Sequence, residues 1–87
     1  MIRYWFKFKL NIKDNPPLGT LLGCGVTAIS KDNALDILKQ KIFKDLEFPE
    51  IEEAIEDVDI RSLDENHVRP NMGNPAAPGI WFPLGYS

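Results

Sequence analysis

The chain has 87 residues, of which 44% are hydrophobic and 26% are charged, the size and balance of one small globular domain. It contains no run of about 18–20 apolar residues, so the sequence excludes a membrane-spanning helix. Lysines interrupt the N-terminal segment where a signal peptide would need its apolar core, which predicts a cytoplasmic location. The single cysteine, Cys24, can neither form an internal disulfide nor build a zinc site by itself.

The formal net charge of −3 is distributed unequally along the chain. Residues 1–44 carry eight basic and three acidic residues, which gives +5, and residues 45–87 carry two and ten, which gives −8. Such a division can mark a surface for a charged partner, or the two halves can meet within one fold. We favour the second interpretation, because neither half has the consecutive like charges of a disordered arm. The net acidity also disfavours nucleic acid as the main partner.

The first segment alternates between apolar and polar residues, which predicts a β-strand with one buried face. Its apolar positions are Tyr4, Phe6, Phe8, Leu10 and Ile12. Residues 14–19 are rich in turn formers and end this strand. A second strand is predicted from Thr20 to Ile29, with Leu22, Cys24, Val26 and Ala28 on its apolar side. The two strands are expected to form an antiparallel hairpin.

A helix is predicted next. The side chain of Ser30 can accept a hydrogen bond from a backbone amide of the first turn. Ala34, Leu35, Leu38 and Ile42 then recur at helical spacing, and the helix is expected to end near Lys44. Its apolar stripe should pack on the apolar face of the first strand.

A third strand is predicted at residues 56–61, where Val58 and Ile60 alternate with polar residues. Residues 48–55 are predicted as a short helical turn, because a proline precedes a group of acidic residues there. The spacing of Ser62 and Glu65 resembles a capping box and predicts one more helical turn. A right-handed crossover through the main helix then gives the sheet order 2-1-3.

Residues 66–87 contain four prolines and three glycines, which predicts an irregular C-terminal segment. Trp81 and Phe82 are too apolar for a solvated tail and are expected to anchor this segment on the domain. A short fourth strand at residues 80–84 is also compatible with the pattern. Gly23 and Gly25, on the sheet face away from the helix, would leave room for an aromatic ring. The predicted fold is a single α+β domain over residues 1–87, with one main helix on one face of a three-stranded antiparallel sheet.

No motif in the chain specifies a catalytic, metal or cofactor site. The glycines of residues 19–25 lack the lysine and hydroxyl residue of a phosphate loop and the third glycine of a dinucleotide fingerprint. Cys24 is expected to face the helix as an inert, buried thiol. His67 lies close to Asp64 and Glu65, but a lone histidine beside two acids is a weak metal signal. A small enzyme that uses His67, Asp64 and Arg69 remains an alternative hypothesis.

Two features suggest interaction surfaces. Trp5, Lys7 and Lys9 resemble an aromatic and basic platform for single-stranded nucleic acid, although Asp57 and Asp59 are expected beside the lysines and would neutralise them. The acidic residues between the helix and the third strand could dock a basic partner or could simply favour solubility. The complete candidate interaction surface comprises Trp5, Lys7, Lys9, Glu50, Glu52, Glu53, His67, Arg69, Asn71, Trp81 and Phe82.

These observations favour a non-enzymatic protein-interaction module, in a specific version a small acidic inhibitor or immunity-type protein. The alternatives are a nucleic-acid accessory protein that uses the first strand and a small enzyme that uses the His67 loop. A three-stranded sheet has two edges and one uncovered face, so we also expect a homodimer. Trp81 and Phe82 either pack on the domain, as we expect, or form a docking motif in a flexible tail.

Overall fold

The computed structural model describes residues 1–11, 13, 15–44 and 46–86. It is an α+β domain with a four-stranded antiparallel sheet of order β3-β1-β2-β4. The strands are β1 (Ile2–Phe8), β2 (Cys24–Ala28), β3 (Ile51–Glu56) and β4 (Gly79–Phe82). One helical segment, α1 (Lys31–Leu38), continues as a π-helical turn at Lys39–Phe43. Single 3₁₀ turns occur at Ile60–Ser62 and Arg69–Asn71. The predicted positions of Ile12 and Asp14 lie outside the described residues.

The predicted sheet order is present, since 2-1-3 read from the other side is 3-1-2, but the predicted number of strands is too small. The compatible fourth strand forms as β4 and pairs antiparallel with β2. β4 forms because its consecutive side chains pack on both faces of the sheet. Ile80 joins the core beneath α1, and Trp81 joins the opposite face.

The third strand lies earlier in the chain than predicted, at Ile51–Glu56 instead of residues 56–61. The backbone of Asp57 adopts a left-handed conformation with φ of 55°, which ends the strand. The side chain of Asp59 then accepts from the backbone amide of Arg61 and caps a 3₁₀ turn. The helical turn predicted for residues 48–55 is therefore wrong, because pairing with β1 outweighs a weak local helical preference.

The helix begins as predicted. The Ser30 side chain accepts a hydrogen bond from the backbone amide of Asn33 at 3.1 Å, and the helical segment ends at Phe43. Its axis lies over β2 and β4, whereas we expected it over β1. It reaches β1 through an edge-to-face contact between Phe43 and Phe8, whose ring centroids are 5.3 Å apart.

The sheet separates two apolar clusters. The helix-side cluster contains buried residues of β1, β2, β4 and the helical segment: Tyr4, Phe6, Phe8, Cys24, Val26, Ala28, Ala34, Leu38, Ile42, Phe43 and Ile80. The second cluster lies on the opposite face and contains Trp5, Val58, Leu63, Val68, Trp81 and Phe82. Residues 58–68 supply three members of the second cluster, so they cover the face that we expected to be open. Trp81 is only 2% exposed, in agreement with the predicted packing.

Candidate functional site

The two edges of the sheet differ in how their backbone groups are used. At the β4 edge, the amide of Gly73 donates to the carbonyl of Trp81 at 2.7 Å, so a neighbouring segment partly covers that edge. At the β3 edge, no backbone hydrogen bond to a further segment occurs among the described residues. β3 therefore presents an open row of donors and acceptors, the feature through which a sheet accepts another strand.

β3 is also accessible on both of its faces. Five of its six residues are exposed, and only Ile51 is partly buried. On the helix side, α1 packs against β2 and β4 and leaves Ala54 in solvent. The described part of the fold therefore leaves the outer edge of β3 and most of both its faces accessible to a partner.

Acidic residues surround this strand. The carboxylates on β3 and the turns that flank it belong to Glu47, Glu50, Glu52, Glu53, Glu56 and Asp57. We define the acidic edge as β3 with the carboxylates of Glu50, Glu52, Glu53 and Glu56. The sequence placed these residues near the third strand, but it placed them on a connecting ridge and not on the strand itself.

Two lysines, Lys7 of β1 and Lys9 just after it, lie beside the inner part of the acidic edge. Lys9 Nζ lies 3.5 Å from Glu50 Oε1, and Lys7 faces Glu53 in the ladder between β1 and β3. The predicted neighbours of these lysines, Asp57 and Asp59, were wrong because β3 begins five residues earlier than expected. Exposed pairs of this kind each contribute only about 0–1 kcal/mol.

Three carboxylates of the acidic edge make no ion pair within the described part of the chain, Glu52, Glu53 and Glu56. Of these, only Glu53 has a lysine opposite it in the ladder. Glu56 lies opposite Tyr4 in the ladder. Burial and, second, the Glu56 carboxylate raise the pKa of Tyr4. The contribution of Glu56 to the pKa of Tyr4, the smaller of the two, has the direction expected for a carboxylate near a phenol.

A groove adjoins β3 on the face away from the helix. Its volume is about 390 Å³, and its lining includes Trp5, Leu21, Leu22, Glu53, Ile55 and Leu63. We call it the leucine groove, because Leu21 and Leu22 are 47% and 44% exposed there. Sequence reasoning missed this feature. The prediction that Leu22 lies on the apolar side of a strand starting at Thr20 was wrong, because β2 starts at Cys24 and both leucines lie exposed in the loop before it.

A second groove of about 680 Å³ shares Leu22 with the leucine groove and is lined mainly by apolar groups, including Leu18, Pro83 and Leu84. It brings together three predicted site residues, His67, Asn71 and Phe82. Only the edge of Phe82 reaches it, since that side chain is 3% exposed.

The His67 loop is held by local hydrogen bonds. His67 Nδ1 lies 3.3 Å from Asp64 Oδ2, and Asp64 Oδ1 accepts from the backbone amides of Asn66 and His67. These hydrogen bonds lower the pKa of Asp64. Asp64 thus caps the turn that we expected Ser62 to cap. The Arg69 side chain makes no ion pair within the described residues, so the structure does not join it to His67 and Asp64.

The described residues contain no group of three or more metal-ligating side chains. The one free thiol, Cys24, is fully buried, and its burial raises the pKa of the thiol to about 12. It lies in the helix-side cluster, as expected, whereas His67 is exposed on the other side of the sheet. These residues therefore do not form a nucleophile and base pair.

Three aromatic members of the predicted interaction surface are inside the protein. Trp5 packs between Trp81 and Phe82, with ring-centroid distances of 6.0 Å and 5.6 Å. Trp81 Nε1 donates to the hydroxyl of Thr27 at 3.2 Å. Trp5, at 6% exposure, lies beneath the surface that a stacked base would contact.

The chain matches no protein-family model, no curated protein and no solved structure. Within the described residues, no helix is both long and apolar enough to cross a membrane.

Proposed function

We propose that this chain is a non-enzymatic protein-interaction module that binds the basic surface of a partner protein through its acidic edge. The observation that carries the proposal is the unpaired outer edge of β3, which is exposed on both faces. Unpaired edges are sites of association unless they are blocked. The other edge of the sheet, at β4, is partly covered. The free carboxylates of Glu52 and Glu56 attract basic partners and repel acidic ones.

A specific version of this proposal is a small inhibitor or immunity-type protein that blocks a basic enzyme. Its support is the small size of the chain and the concentration of acidic residues in residues 45–87. An acidic surface that meets a basic active site accelerates association, because the two potentials steer the encounter.

The alternatives have less support in the geometry. For nucleic acid, the indole of Trp5 is buried, and Lys7 and Lys9 lie beside the carboxylates of Glu53 and Glu50. For catalysis, the His67 loop offers an exposed imidazole beside one carboxylate, and the thiol of Cys24 is buried on the other face of the sheet. Both hypotheses therefore rank below the interaction module.

The proposal is tested by affinity capture from the native host's lysate with two matched variants. The edge variant carries Glu52→Lys and Glu56→Lys, and the control variant carries Asp36→Lys and Glu65→Lys at exposed acidic residues outside β3. Each double reversal raises the formal net charge by four, from −3 to +1. We expect basic proteins to be retained by the wild type and the control variant and lost from the edge variant. Equal loss from both variants would contradict the proposal, because net charge alone would then explain the binding.

A further inference from the structure

We infer that the partner contributes an extended strand that pairs with the outer edge of β3 and carries lysine or arginine at set positions. This inference rests on the proposed function and adds the mode of binding and the chemistry of the bound segment. The alternative within the same function is docking by charge alone, with no new backbone hydrogen bonds.

The backbone of β3 favours strand addition. Its inner donors and acceptors pair with β1 in regular register over residues 53–56, so the outer ones alternate there and face away from the sheet; a register shift at Glu52 interrupts the alternation before them. In the described part of the chain, five of the six residues of β3 are exposed and only Ile51 packs against the helix-side cluster, so the outer edge is open to an added strand along residues 53–56. Main-chain pairing of this kind supplies affinity, and the side chains on either face supply selectivity.

The charges select which strand can be added. If two copies of β3 paired edge to edge, their glutamates would lie close together, and like charges in neighbouring strands destabilise a sheet. The acidic edge therefore disfavours a second copy and accepts a cationic strand, which is selection by repulsion as well as by attraction. The homodimer expected from the sequence stays a prediction and would need a surface other than β3.

The order of side chains on β3 defines a preferred partner segment. Glu53 and Ile55 lie on the leucine-groove face, while Ala54 and Glu56 lie on the helix-side face. The best partner strand has four successive residues opposite these positions: a cationic residue, a small residue, an apolar residue and a second cationic residue. The apolar side chain would lie next to Ile55, where the leucine groove has room for it.

The test uses synthetic threonine-flanked peptides with the core lysine-threonine-valine-lysine and with the reversed core, because the direction of the added strand is not fixed. Binding is measured by titration, and amide hydrogen exchange is followed by NMR. We expect alternate amides of residues 53–56 to gain at least about tenfold protection when one of the peptides is bound. Methylation of the peptide's core amides should weaken binding at least about tenfold, because the methylated amides cannot donate.

The outcomes separate the two claims. If a peptide binds but β3 exchange and the affinity of the methylated peptide are unchanged, strand addition is overturned while charge-based docking survives. Strand addition is also overturned if neither peptide binds, or if β3 amides become protected with rising protein concentration alone, which would place a second copy there. The proposed function itself fails if the edge and control variants lose the basic partners equally in the capture experiment.

Discussion

The hydroxyl of Thr27 connects β2 to two other segments of the chain. It accepts from Trp81 Nε1 and donates to the carbonyl of Pro75 at 2.6 Å, and Thr27 is 2% exposed. Thr27→Val keeps the shape of the side chain and removes both hydrogen bonds, so the buried indole N–H of Trp81 loses its acceptor. We expect a loss of about 1–3 kcal/mol in the free energy of unfolding, measured by urea denaturation. Thr27→Ser retains the hydroxyl and should cost less; equal losses would mean that packing of the methyl group dominates.

Gly25 makes room for the indole of Trp81. A Cβ at residue 25 would overlap the six-membered ring of that indole, whereas a Cβ at Gly73 would lie 3.6 Å from Leu84 Cδ2, an ordinary contact. Gly25→Ala should therefore destabilise the protein by about 1–3 kcal/mol, and Gly73→Ala should change stability much less. In thermal denaturation, Trp81→Phe should recover part of the Gly25→Ala loss. Strictly additive effects of the two substitutions would contradict the close approach.

The Cys24 thiol gives a pH dependence with a defined sign. Burial raises its pKa from 9.0 to about 12, so above pH 9 the unfolded chain ionises this thiol while the folded chain does not. Its contribution to stability is fully present below pH 9 and declines between pH 9 and about 12. The stability advantage of the wild type over Cys24→Ala should shrink by about 1.4 kcal/mol per pH unit in that range. A constant difference in urea denaturation would indicate a solvated thiol.

At the scale of elements, β4 links the C-terminal segment to both clusters. It contributes Ile80 to the helix-side cluster and Trp81 and Phe82 to the second cluster. Deletion of residues 79–87 removes all three side chains and opens the edge of β2. We expect a loss of several kcal/mol or no cooperative transition in far-UV circular dichroism. Deletion of residues 85–87 alone keeps β4 and should leave a folded protein, and a wild-type transition in the longer deletion would contradict this role.

Local sequence patterns predicted the elements that are specified by one strong signal within the element itself. The alternation of apolar and polar residues predicted β1 and its buried face, and Ser30 predicted the start of α1. Gly23, just before β2, and Gly25, within it, indicated aromatic neighbours because a glycine leaves space on its own face of the sheet. In each case, the signal lies within a few residues of the feature that it predicts.

Pairing between segments that are distant in the chain determines the position of the elements that the sequence patterns predicted wrongly. Residues 51–56 carry glutamates at three of six positions and expose nearly every side chain, so no buried face marks them as a strand. The acidic edge lacks a sequence signal for the same reason, because an exposed edge strand has no alternation of apolar and polar residues. Its position depends on the ladder with β1, and its availability depends on α1 lying over β2 and β4.

At the scale of the whole molecule, the sheet couples the two clusters. Neighbouring residues of one strand, such as Trp5 and Phe6, point to opposite clusters. Loss of packing on one face therefore releases strands that the other face requires, and small single domains with such shared strands unfold in one step. The alternative is a second cluster that opens by itself, since residues 58–68 cover it without a long helix or strand.

Both tryptophans lie in the second cluster and the helical segment lies on the other face, so two spectroscopic probes distinguish these models. We expect tryptophan fluorescence and far-UV circular dichroism to give the same denaturation midpoint in urea. Leu38→Ala in the helix-side cluster and Leu63→Ala in the second cluster should each lower both midpoints together. For the fully buried Leu38, the loss in the free energy of unfolding should be about 2 kcal/mol or more. A fluorescence transition that shifts alone in Leu63→Ala would show that the second cluster opens independently, and the acidic edge would then lie beside a mobile layer.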